Sequence, residues 1–182
     1  LEQVAEFARE DPLTGNGHRV ELIEIGHPSP VLQRGVSIVD MPGAGGIQSG
    51  RAEAILGFLP TADALIFASD ASAELAAPEL RFLREATARC PTVLVALTKI
   101  DLYADWQRIA ELDTGHLDNW NVDVTDLIGV SADLRIEALR RNDRDLNAES
   151  GIRRLLEQLR LQVVDRASHL ACARALSETR RS

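Results

Sequence analysis

The run PTVLVALTKID, residues 91–101, decides how the rest of the chain folds. Its first eight residues are almost wholly apolar, without the in-and-out alternation of a strand that has one wet face. A strand of that composition is buried on both sides, which is the habit of a parallel sheet lying between layers of helices. The run then stops abruptly in Thr98, Lys99 and Asp101, so polar chemistry is concentrated where the buried strand ends.

The neighbouring sequence repeats this rhythm. RAEAILGFL (51–59) has helical spacing and precedes the apolar run ADALIFAS (62–69), and APELRFLREATARC (77–90) precedes the strand just quoted. YADWQRIAELD (103–113) precedes VTDLIGVSA (124–132), and LRIEALRR (134–141) follows. A long helical stretch is expected from residue 150 to about 182. Nearer the start, residues 1–10 are helical in spacing and DPLTGNG (11–17) breaks them. RVELIEIGH (19–27) and GVSIVD (35–40) read as strands, the second shorter and more buried, and the two are expected to pair antiparallel. Amphipathic helices alternating with continuous apolar strands define an α/β fold. Three loops, 40–43, 98–101 and 131–133, each follow a strand, and in an open parallel sheet they converge on one edge, where ligands bind.

Composition bounds the partners. The 182 residues are 45% hydrophobic, enough for one buried core, and carry a net charge of −8. That acidity argues against nucleic acid, which needs clustered Lys and Arg. Cys90 and Cys172 stand far apart without CxxC spacing, so neither a zinc site nor a disulfide framework is indicated. No apolar run approaches the roughly 20 residues needed to cross a bilayer.

Each loop has a chemical reading beside a plain one. Asp101, two residues beyond Lys99, is suited to accept paired hydrogen bonds from the N1 and N2 protons of guanine, while the Lys99 stem lies over the purine. The plain alternative is that Asp101 caps the following helix. Ser131 and Ala132 are small enough to let a backbone N–H approach a purine carbonyl, although SA dipeptides are common. DMPG (40–43) places Asp40 where a carboxylate holds Mg²⁺ through water, and Gly43 where an N–H meets a terminal phosphate. The alternative there is a simple Pro-Gly turn.

DxPG, TKxD and SA, each after an apolar strand and in that order, resemble the GTPase superfamily. Three stretches extend the likeness to bacterial dynamin-like GTPases, including the actinobacterial and mycobacterial isoniazid-inducible type: PSPVLQRGVSIVDMPGAGG (28–46), FLPTADALIFASDASAELAAPELRFL (58–83) and CPTVLVALTKIDLYADW (90–106). The resemblance covers residues 19 to 160. It implies a three-layer P-loop-NTPase-like fold and a GTPase head over residues 1–160, with 161–182 leading towards a helical bundle. It also implies GTP or GDP with Mg²⁺ as ligands, and Asp40, Gly43, Thr98, Lys99, Asp101, Ser131 and Ala132 as the contacts. Paired heads, self-assembly and a cytoplasmic location at the inner face of a membrane follow from the same likeness. Its catalytic group is unassigned: Ala44 stands where Ras-like enzymes place a water-orienting glutamine. TKID also departs from the more frequent NKxD, which puts the side-chain bond to neighbouring loops in doubt.

The cradle for the phosphates is not where a motif match first suggests. GGIQSGRA (45–52) imitates GxxxxGK[ST], but Arg51 replaces the lysine and Ala52 the magnesium-binding hydroxyl. It also follows Asp40 too closely, since sensor and cradle must reach the phosphate from different strands. No other stretch fits, so the first strand and its phosphate loop are expected in a longer parent protein. Two other readings remain: a pseudo-GTPase scaffold, and an assembly GTPase of the translation-factor superclass.

Overall fold

The computed structural model describes residues 36–41 and 50–165. Three strands, β1 (Leu65–Asp70), β2 (Val93–Thr98) and β3 (Asp126–Gly129), form a parallel sheet in the order β1-β2-β3. Helix α1 (Gly50–Phe58) runs into a 3₁₀ turn (Leu59–Thr61) before β1, α2 (Ala77–Thr87) links β1 to β2, and α3 (Trp106–Asn119) links β2 to β3. After β3 come α4 (Ala132–Arg141), α5 (Arg144–Glu149) and α6 (Ile152–Leu159), which widens into a π-helical turn (Arg160–Asp165). The α/β class expected from the alternation is the class observed.

Register explains why the strand ends act together. Leu65 lies beside Val93 and Asp70 beside Thr98, while Leu97 lies beside Gly129. All three strands therefore end along one edge. As its sequence requires, β2 is central: Val93 through Leu97 are buried, none more than 3% exposed.

One face of the sheet is thickly covered. Val93 and Val95 of β2 pack with Ala52 and Ile55 of α1, Leu80, Leu83 and Ala86 of α2, and Leu117 of α3. Phe67 of β1 meets Phe82 of α2 with ring centroids 5.7 Å apart. Burying a side chain such as Leu83, at 0% exposure, contributes about 2–3 kcal/mol before chain entropy is counted. On the other face Ala96 and Ile128 pack with Val130 against Ile152 and Leu155, so α6 is the described cover there. That cover reaches β2 and β3. Over β1, Ile66 is 38% exposed.

One expectation changes. Residues 36–40 of GVSIVD are not a strand: they join no sheet ladder among the described residues, and Ile38 and Val39 are 68% and 48% exposed. Apolar composition suits a strand, but a strand exists only where a neighbour satisfies its N–H and C=O groups. The antiparallel partner expected for it, residues 19–27, lies outside the described residues. The helix expected from residue 150 is observed from Ile152 to Asp165, its last turn π-helical, and a short helix not expected from the sequence stands ahead of it. Asp143, accepting from the N–H groups of Asp145 and Leu146, starts the unexpected α5, and Gly151 at φ 66° separates it from α6. The strand at 19–27, the helix at 1–10, and residues 166–182 lie outside the described residues. From Ile38 onward the described chain belongs to one compact unit. No described helix is long and apolar enough to cross a membrane.

Candidate functional site

The loops after β1, β2 and β3 meet through backbone hydrogen bonds. The N–H of Ala71, just past β1, donates to the carbonyl of Thr98 at 2.9 Å, and the N–H of Ile100 donates to the carbonyl of Val130 at 3.5 Å. The TKID loop is thus tied on one side to the end of β1 and on the other to the end of β3. Two of the three expected loops come together as a consequence of sheet order.

Thr98 contributes a specific bond. Its Oγ1 donates to the carbonyl of Ser69 at 3.0 Å, so the threonine reaches the neighbouring strand end. The substitution of Thr for the commoner Asn leaves the loop anchored backwards, onto β1. Lys99 follows at φ 62°, a left-handed conformation uncommon for a residue with a Cβ. Its ammonium lies 2.7 Å from Asp70 Oδ2. Asp70 Oδ1 in turn accepts from the N–H of Ser72 at 2.8 Å. The hydrogen bond from Lys99, reinforced by Ser72, holds the Asp70 carboxyl down to about 2. The same pairing raises the pKa of Lys99.

Asp101 is exposed at the strand edge and does not cap the next helix. Helix α3 begins at Trp106 with Asp105 in the cap position. Asp101 is thereby left exposed to solvent. Leu102, at 66% exposure, is an apolar residue beside it.

Ser131 and Ala132 divide their work. Ser131 is buried at 1% exposure; its N–H donates to the carbonyl of Ser150 at 2.9 Å and its Oγ caps α4 by accepting from Leu134 at 3.0 Å. Both polar groups of Ser131 are therefore engaged in structure. Ala132, the first residue of α4, is the exposed member of the pair. Gly151 makes the arrangement possible: a Cβ there would stand 1.9 Å from the carbonyl oxygen of Gly129. Gly129 is equally confined, because the ring of Trp106 occupies the place of its Cβ at 2.5 Å.

The phosphate end is less complete. Asp40 is exposed on the unpaired segment 36–41, and Gly43 lies outside the described residues. Met41 packs against the main core cluster, which anchors that segment to the unit. Among the described residues no group of three or more His, Cys, Asp or Glu side chains is arranged to hold a metal ion. A single carboxylate acting through water, as expected of Asp40, does not require such a group. A cleft of about 480 Å³ is lined by Ile100 of the TKID loop, Gly129 and Gly151 together with Trp106, Thr114 and Arg154, and Asp70, Lys99 and Asp101 do not line it.

Asp70 and Ser150 were not legible as site residues from spacing. The apolar run suggested a strand ending at Ser69, one residue short, yet an aspartate at the last position of a parallel strand is a signal for the ligand edge. Ser150 carried none, since a partner some 20 residues away leaves no local pattern.

An α/β unit with a parallel sheet and polar loops at its carboxyl edge is the class that fold and site define. No protein-family model matches the chain. The chain is 38% identical over 180 residues to the isoniazid-induced protein IniA of Mycobacterium tuberculosis, in strain CDC 1551 / Oshkosh and in strain ATCC 25618 / H37Rv. The match covers 99% of this chain and 28% of each relative. The chain is thus related to the mycobacterial IniA proteins and spans a little over a quarter of their length.

Proposed function

We propose that this chain is the base-recognising part of a dynamin-like GTPase head that binds GTP or GDP with Mg²⁺ in its full-length protein. The observation that carries the reading is the joining of TKID to the SA loop at the carboxyl edge of a parallel sheet. Guanine is held by Asp101, its face covered by the Lys99 stem, with Ala132 at the far side of the slot. Thr98 fixes the loop that presents both. Asp40 holds Mg²⁺ through water and Gly43 meets the terminal phosphate. The metal supplies neutralisation of phosphate charge. The exposure of Asp101 and the placement of Lys99 fit the base end of such a ligand.

The head is completed by a strand supplied by the rest of the protein. The outer edge of β1 has no partner among the described residues, and residues 36–40, apolar in part, join no ladder there. A strand added at the β1 edge, carrying the phosphate loop, supplies that partner and the missing cradle. The protein acts in the cytoplasm, self-associates through paired heads, and works at the inner face of a membrane in remodelling it.

The test is nucleotide selection by the full-length protein. Exchanging Asp101→Asn should move preference from guanine to xanthine nucleotides, because the amide donates where the carboxylate accepted. Unchanged GTP preference sinks the pocket assignment, and absence of any nucleotide binding by the unsubstituted protein would favour a non-catalytic scaffold.

A further inference from the structure

Asp70 lies outside the TKID and SA motifs, yet it makes the closest side-chain contact with the recognition loop. Its carboxylate is fixed twice: Oδ1 by the N–H of Ser72 at 2.8 Å, and Oδ2 by the Lys99 ammonium at 2.7 Å. The first contact lies within its own turn, so the carboxylate is already oriented before Lys99 arrives. Register places Asp70 beside Thr98, the residue before Lys99. Backbone and side-chain bonds on either side, Ala71 to Thr98 and Thr98 to Ser69, lock the two strand ends together.

A lysine side chain on an exposed loop ordinarily samples many rotamers, and ordering it at the moment of binding costs entropy. Here both ends of the stem are held: the backbone in the left-handed region at φ 62°, and the ammonium by a residue 29 positions earlier. We infer that Asp70 is a positioning residue for nucleotide recognition, holding the Lys99 stem stretched across the ends of β1 and β2 as a ready-made platform for the purine. The inference rests on the nucleotide reading of the TKID loop. Asp70 touches no part of the base in this arrangement and acts through Lys99.

A plain surface ion pair is the competing account, since the side chains are 54% and 33% exposed and such pairs contribute little to stability. The two accounts part on ligand affinity. The Lys99 contact holds the Asp70 carboxyl below the usual carboxylate range, so substitution is the direct way to remove its charge. Asp70→Asn is the informative variant, because an amide oxygen still accepts from Ser72 while the charge facing Lys99 is gone. Asp70→Ala removes both contacts and serves as the second variant.

The experiment is titration of the full-length protein with a fluorescent GDP analogue. Asp70→Asn is expected to weaken binding about fivefold with the thermal midpoint unmoved, the scale of a modest exposed pair converted into preorganisation. In a Lys99→Ala background the same exchange should change affinity less than about twofold, because the platform it holds is no longer there. Base preference should stay with guanine in Asp70→Asn, since Asp101 is untouched. Equal affinity of Asp70→Asn and unsubstituted protein, or an undiminished effect in the Lys99→Ala background, overturns the positioning role alone. Failure of the unsubstituted protein to bind guanine nucleotides overturns the nucleotide reading and this inference with it.

Discussion

The two faces of the sheet are built from the same three strands and are covered very differently. On one, α1, α2 and α3 bring Ile55, Leu80, Leu83 and Leu117 down onto Val93 and Val95. On the other, Ile152 and Leu155 of α6 cover Ala96, Ile128 and Val130, and Ile66 of β1 is left half in solvent. Helices that connect consecutive strands cover the first face as a matter of topology. The second depends on segments arriving from beyond the last strand. The difference teaches that β1 is the least covered strand among the described residues, and that the side with the candidate base slot, between β2 and β3, is the better supported one.

Substitutions can break that contrast in order of effect. The largest loss is expected from Gly151→Ala, where a Cβ would meet the Gly129 carbonyl at 1.9 Å and the backbone sits at φ 66°. A destabilisation of about 4 kcal/mol, read from the denaturant midpoint, follows from a clash with backbone that cannot step aside. Next is Leu83→Ala on the thick face, at about 3 kcal/mol, set against Leu155→Ala on the thin face at about 1 kcal/mol. Equal costs at the two positions would erase the comparison.

Asp113 tests the thick face from another side. It is fully buried in α3, its Oδ1 accepts from the N–H of Leu75 at 2.7 Å, and its Oδ2 has no hydrogen-bond partner. Replacing it by Ala orphans the Leu75 N–H, at a cost of about 2 kcal/mol. Burial raises its pKa, opposed by the Leu75 bond and by nearby His116, with Glu74 and Glu79 adding to the rise. A raised value in the folded protein means that the folded state binds the proton more readily than the unfolded one. The stability this contributes is complete below the ordinary carboxylate value and is lost as pH rises through the raised one. Thermal midpoints of the unsubstituted protein and Asp113→Asn, compared from about pH 4 upward, should therefore diverge in favour of Asn. A constant difference across that range would mean that burial does not raise the Asp113 carboxyl.

Ile66→Thr gives the smallest expected effect and sharpens the comparison most. In the full-length protein a cost of about 1 kcal/mol is expected if the open margin of β1 is completed there. A cost below about 0.5 kcal/mol would place Ile66 in solvent in the parent protein as well.

How much was legible depended on the range of the signal. The strands at 65–70, 93–98 and 126–129 lie inside the apolar runs that announced them, since burial on both faces leaves a continuous hydrophobic trace. Helices at 50–58, 77–87 and 132–141 were legible from their periodicity. GVSIVD had the composition of a strand, yet residues 36–40 join no ladder among the described residues, and α5 had a capping aspartate but too short a helix to notice. At the site, Thr98, Lys99 and Asp101 announced themselves as polar residues ending a buried run. The claim of Ser150 on the Ser131 N–H, and that of Asp70 on Lys99, left no trace in local spacing.

Sequence by itself determined the α/β class, the central place of β2, and the location of the polar loops at strand ends, because periodicity and burial are local properties of a chain. Only the tertiary structure decided that Lys99 is held by Asp70, that Ser131 is spent on Ser150 while Ala132 is exposed, and that residues 36–40 join no ladder among the described residues. Those outcomes turn on hydrogen bonds between residues far apart in sequence, and which distant donor meets which acceptor is fixed by strand order and register.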